Sequence, residues 1–290
     1  MNASSRPLSR SVSGLLSALI ALTPVSLLSG AAIAQSTPPD VGAPGDLSRG
    51  GATYVFDPPS PPDLGSPPGR QRGGASRDGV TLSEASSDNP ISCPSVAHPL
   101  TALAPAFELP DANQDGTSDG ESVWGYTTET HPTLWFYTPH ILTPERAAEF
   151  VLLDSEGNEV YRTTLVEPEM SAGIVQVSLP ETVALEENKM YEWYFLVNCD
   201  AGNPMYTRGG IQRVALDANL TNQIQQASLA EQAALYASNG IWYDALTILM
   251  ELRLANPTDR TIATNLLTFL ESARLQEMAE MPIGSCCSVE

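Results

Sequence analysis

Apolar and polar residues alternate through the middle of the chain, then recur every three to four positions near its end. Val175, Val177 and Leu179 alternate with Gln176 and Ser178, the pattern of a half-buried strand. Tyr191, Trp193, Phe195, Val197 and Cys199 share one face of a second strand, with Glu192, Leu196 and Asn198 opposite. Leu134-Trp135-Phe136-Tyr137 is apolar on both faces, which predicts a central strand. Phe150–Leu153 and Glu159–Leu165 flank Asp154-Ser155-Glu156-Gly157-Asn158, a glycine-containing hairpin loop. Gln212–Ala215 closes the set, and about seven short strands with turn signals over residues 93–216 have the size and turn spacing of an immunoglobulin-like antiparallel sandwich.

The helical period begins after Asp217 and runs to about residue 278. Ser228-x-x-Glu231 is a capping box that opens a helix through Ser238, and Gly240 breaks it. Trp242, Ala245, Leu246, Leu249 and Leu252 mark one face of a second helix, which must end before Pro257. Ile262, Leu266, Phe269, Leu270 and Ala273 define a third. The order Tyr236, Gly240, Ala245, Pro257 resembles one tetratricopeptide repeat. About three such units are needed for an independent solenoid, so a single hairpin must pack on the sandwich or be extended by a partner. The expected fold is mainly β, a sandwich followed by a tetratricopeptide-like helical hairpin, with residues 279–290 as a flexible tail.

The ends differ in character from this body. Arg6 and Arg10 precede an uncharged apolar stretch from Val12 to Leu28, and Ala32-Ile33-Ala34 supplies the small residues of a cleavage site. Residues 1–34 therefore read as a signal peptide, and no later segment is apolar enough to span a bilayer. Residues 35–92 read as a disordered linker, because Pro58-Pro59, Pro61-Pro62 and Pro67-Pro68 interrupt any helix or ladder. Arg70, Arg72 and Arg77 cluster within Gly69–Arg77 of this linker. That cluster is plain disorder, a segment that docks on the acidic body, or a contact for an anionic envelope polymer.

Charge narrows the partners. The formal net charge is −20, and losing Arg6 and Arg10 with the leader makes it two units more negative. Nucleic acid and anionic lipid want basic surfaces and are excluded as partners. Export makes disulfides admissible. A Cys93–Cys199 bridge would close a loop of roughly a hundred residues, worth about 4–5 kcal/mol in the chain-entropy account. Cys286 and Cys287 sit together in the tail, and no Cys-x-x-Cys accompanies the three histidines to make a zinc site.

Taken together, the pieces resemble the cyanobacterial domain of unknown function 928 family. The matching residues are Gly69–Arg77, Cys93-Pro94, Leu100-Thr101-Ala102-Leu103 and Pro132–Tyr137. They continue with Glu149–Leu152, Asn158–Thr163, Tyr191-x-Trp193-Tyr194-Phe195 and Gly240–Leu246, covering residues 69 to 275. The resemblance implies an exported cyanobacterial protein of the cell envelope. It carries no assigned activity and no catalytic residues.

Among local motifs the sharpest is an acidic loop. Asp111, Asn113, Asp115, Asp119 and Glu121 place oxygen donors as a calcium loop does, with Gly116 at the sharp turn. Ser122 stands where the bidentate acid belongs, and the plainer reading is an acidic hairpin loop. The chain calls for no other cofactor. No G-x-S-x-G, H-E-x-x-H or S-x-x-K constellation is present. A deep pocket joining His131 or His140 to two acids is what an enzyme of unrecognised type would need. Trp124, Tyr126, Trp135, Tyr137, Trp193 and Tyr194 read mainly as core, with Tyr137 and Tyr194 the outward members of a glycan-stacking alternative. The favoured reading is a non-catalytic module, periplasmic or on the cell surface, that binds an envelope protein or polysaccharide. Its docking surface is expected on the helical hairpin at Trp242, Tyr243 and Leu249.

Overall fold

Strands form where the alternation predicts them, and the sheet is larger than it predicts. A computed structural model describes residues 54–59, 68–75, 96–109, 120–166, 172–198 and 204–284. The predicted strands are β5 (Thr133–Thr138), β6 (Ala148–Leu153), β7 (Glu159–Leu165), β8 (Gly173–Ser178) and β9 (Met190–Val197). To these are added β1 (Pro68–Ala75), β2 (Thr101–Ala102), β3 (Ala106–Glu108), β4 (Glu121–Thr127) and β10 (Met205–Arg213). The sheet runs β7-β6-β9-β10-β4-β1-β2-β5-β8, with β3 on β4 and β1 also paired to β10. Only the β10–β4 pair is parallel among the described strands.

The sheet curls until its two wings face each other. Phe136 of β5 stacks on Phe195 of β9 at 4.2 Å, although four strands separate β5 from β9 along the ladder. Trp193 and Phe150 lie against the same Phe136 ring. This aromatic cluster fills the concave side, and its burial is the main stabilising term of the β part. The second face of β9 is also apolar: Tyr194 and Leu196 pack with Val151 and Tyr206 in a separate buried patch.

Helices α1 (Ala218–Gln226), α2 (Leu229–Ser238), α3 (Trp242–Ala255) and α4 (Arg260–Glu271) follow. The capping box at Ser228 is formed in both directions, with the Glu231 carboxylate accepting from the Ser228 N–H at 2.7 Å. Gly240 stops the next turn by adopting φ +73°. Asp217 and Asp259 cap α1 and α4 by accepting backbone N–H bonds. None of these described helices is long and apolar enough to cross a membrane.

Five expectations need correction. Residues 68–75, read as linker, are a central strand. Glycine makes this possible, because a Cβ at Gly69 would lie 2.3 Å from the Val123 nitrogen and one at Gly73 2.8 Å from Leu100. Of the three readings of the arginine cluster, docking on the body is the one seen over Arg70 and Arg72. Arg72 bonds the Glu277 carboxylate and the Arg274 carbonyl, and Arg70 lies 4.8 Å over the Tyr206 ring.

The last strand is Met205–Arg213 rather than Gln212–Ala215. Gly209-Gly210 hides it from β propensity, yet a Cβ at Gly209 would lie 2.5 Å from both the Trp193 ring and the Val123 carbonyl. The tail is pinned over its first residues. Ile174 donates to the Pro282 carbonyl at 2.7 Å and accepts from Gly284 at 2.8 Å, which covers the free edge of β8.

The fourth correction concerns the docking residues. Trp242, Tyr243 and Leu249 are each no more than 2% exposed. Helix α3 packs between the sheet, α2 and α4, so these three side chains are core and offer no exposed docking surface of their own. Trp242 donates to the Leu103 carbonyl at 2.8 Å and stacks on Phe269 at 4.3 Å. The Tyr243 hydroxyl accepts from Trp193 Nε1 and donates to the Gly210 carbonyl, each at 3.0 Å. Tyr137 and Tyr194, expected to face outward, are likewise buried at 7% exposure.

Candidate functional site

The turn from β4 to β5 is held onto the helices by one buried acid. Asp244 sits in the first turn of α3, among the residues that the apolar run Trp242–Leu246 buries. Its carboxylate accepts the Thr128 N–H at 3.0 and 3.2 Å and the Thr128 hydroxyl as well. Burial pushes this carboxyl up to about 6, against the hydrogen bonds from Thr128 and Thr127 that hold it down. Arg213, at the end of β10, braces the same turn through the Thr128 carbonyl at 3.2 Å.

Beside this clasp lies a cleft of about 330 Å³. The sheet side contributes Glu129, His131 and Thr133; α2 and α3 contribute Gln232, Tyr236, Asp244 and Glu251. Thr247 ties the two sides together, accepting from Trp135 Nε1 at 3.1 Å and donating to the Thr133 carbonyl at 3.4 Å. The walls thus carry three carboxylates and one imidazole, with no Lys or Arg among the lining residues. Glu129 and Glu251 are exposed at its mouth while Asp244 is buried at its base. Such a site favours a cation or a group rich in hydrogen-bond donors.

His131 is therefore brought together with acids, and His140 is not. The His131 Nε2 lies 3.2 Å from the Glu181 carbonyl. His140 is buried on the far side of β5, with Nε2 unpartnered, and burial followed by the Arg146 charge lowers its pKa. Of the calcium set only Glu121 is described; Asp111, Asn113, Asp115 and Asp119 lie outside the described residues. Glu121 accepts the Gln71 N–H at 2.7 Å and faces Glu108 across the β3–β4 pair, so the flanks of that loop form a hairpin. No cluster suited to a metal occurs among the described residues. Cys93, Cys199, Cys286 and Cys287, and the proposed leader at 1–34, also lie outside them.

Sequence reasoning missed Asp244, Glu129, Glu251, Gln232 and Tyr236 as members of one site. One signal was available for Asp244: an acid inside an apolar helical run is a buried polar group that needs partners.

The geometry defines a mainly β domain closed by a C-terminal helical segment, with an acidic cleft at their junction. Over residues 72–283 the chain matches the family described as Domain of Unknown Function (DUF928), and it belongs to that family. No curated protein matches it. Among solved structures, a Parabacteroides merdae β-glucuronidase with glycerol in its active site is similar over 61% of this chain and 28% of that one. The identity is 9% and the TM-score 0.21, and a likeness of that size carries no argument about fold or activity.

Proposed function

We propose that this protein is an exported, non-catalytic module of the cyanobacterial cell envelope that binds a basic segment of another envelope protein. The single observation that supports this is the cleft with Glu129, Asp244 and Glu251 and no basic lining residue. In this reading the facing wings are an immunoglobulin-like sandwich serving as scaffold. Helices α2 and α3 form a tetratricopeptide-like hairpin, whose junction with the sheet is the docking element. A leader over residues 1–34, a periplasmic or surface location and a Cys93–Cys199 cross-link complete the proposal.

Calorimetry with an octalysine peptide tests it. E129Q/E251Q is expected to weaken binding by about tenfold at 50 mM salt, and E145Q/E156Q, exposed acids away from the cleft, to leave it unchanged. Equal loss in both pairs means a diffuse field rather than a site, and salt-resistant retention on envelope polysaccharide favours a glycan module instead.

Two other readings have an observation each. Acid–base chemistry is favoured by the presence of His131 and Asp244 in one cleft, the raised pKa of Asp244 suiting proton transfer near neutrality. Calcium at the Asp111–Glu121 loop is favoured by its donor spacing, and is expected to be weak. Heat on titrating millimolar Ca²⁺ into the protein supports the ion, and a flat titration removes it.

A further inference from the structure

A short stretch of the proline-rich region is seated on the helices like a bound peptide. Residues 54–59 form no ladder and lie between the end of α2 and the end of α4. Side chains alternate: Tyr54 and Phe56 turn in, while Val55 and Asp57 stay exposed. The Phe56 ring meets Trp242 edge-on at 5.0 Å, in a pocket floored by the Trp242–Phe269 stack. Two backbone donors are read, Phe56 N–H by the Ser272 hydroxyl at 3.3 Å and Asp57 N–H by the Ala237 carbonyl at 3.1 Å.

The prolines are accommodated by a missing side chain. A Cβ on Gly240 would lie 3.0 Å from the Asp57 carbonyl and 3.1 Å from Pro59 Cδ. Tyr54 packs half-buried against the core, and burial, then the Glu231 carboxylate, push its phenol up. Alternate side chains in pockets, backbone donors read by the receptor and prolines on a flat surface are the features by which domains recognise extended proline-containing peptides.

We propose that the face made by α2, the Gly240 turn and the end of α4 is a receptor for an extended aromatic–acid–Pro–Pro segment. The chain fills it with its own Phe56–Pro59, and a partner polypeptide with that chemistry takes its place. The tether from Pro59 to β1 is short, so the resident segment competes at an effective concentration on the order of millimolar. Intact protein therefore reads as nearly closed to such partners. The residues that hold the segment, Ala237, Gly240, Trp242, Phe269 and Ser272, are not among those lining the acidic cleft, although both sites draw on α2, and either idea can fail without the other.

The test uses a fluorescent synthetic peptide of residues 54–59 and the full chain. F56A is expected to bind the peptide at least about tenfold more tightly than the unsubstituted chain does. The same peptide with its phenylalanine changed to alanine is expected not to bind. A folded F56A protein with no gain overturns the proposal, as does equal binding of both peptides. Should F56A fail to fold, a protease site placed within residues 60–67 allows cutting after folding. Displacement of the cut N-terminal piece by the peptide supports the proposal, and its retention through millimolar peptide makes the segment a permanent strap and overturns it.

Discussion

W242A is expected to destabilise the fold by about 3–5 kcal/mol, the cost of removing a fully buried tryptophan from a packed core. Its indole ties three parts together: it bonds the Leu103 carbonyl, stacks on Phe269 of α4 and receives Phe56 of the N-terminal segment. Truncation leaves a cavity at that meeting point, with few atoms free to collapse into it. Urea unfolding followed by circular dichroism measures the loss as a lower midpoint at unchanged slope. An unchanged midpoint would mean that the indole faces a partner after all.

The second large effect concerns pH and Asp244. Its carboxyl rises from the ordinary 3.8 to about 6 in the folded protein, because ionising it there means burying a charge. A group whose folded value is raised binds its proton more tightly when folded. Its contribution to stability is therefore complete below pH 3.8 and is lost as pH climbs through about 6. At about 1.4 kcal/mol per unit this amounts to about 3 kcal/mol. D244N keeps the shape and an acceptor for the Thr128 N–H while removing the ionisation. The stability of wild type minus D244N is expected to fall by about 2 kcal/mol between pH 4 and pH 7, with the amide at least as stable as the acid at neutrality. Parallel stability curves for the two proteins from pH 4 to 7 would show that Asp244 is already solvated as an anion.

Much of the fold can be read from local pattern. Period-two alternation at Val175–Leu179 and around Trp193 marks real strands, because one-sided burial imposes that period. Ser228-x-x-Glu231 marks a real helix start, because the cap is chemistry between near neighbours. The glycine-rich strands failed for the same reason in reverse. In β1 and β10 the residue that lowers strand propensity is required by a neighbour distant in sequence, Val123 for Gly69 and Trp193 for Gly209.

The candidate sites were less legible. Glu129 and His131 reach the cleft from one side of a turn, and Gln232, Asp244 and Glu251 from helices about a hundred residues later. Nothing in their spacing announces that meeting. Trp242, Tyr243 and Leu249 were correctly grouped on one helix but assigned to the wrong surroundings. A helical period says which residues share a face; what covers that face is set by packing.

The amino-acid sequence by itself therefore determined β5–β9 and α2–α4 as elements of the right type, the acidity and the family, all of which depend on residues near one another or on sums over the chain. Only the tertiary structure decided that an Arg- and Gly-rich stretch is a central strand, that α3 lies inside rather than outside, and that three carboxylates share one cleft. Those outcomes depend on close approach between segments far apart along the backbone, where a side chain's absence matters as much as its presence.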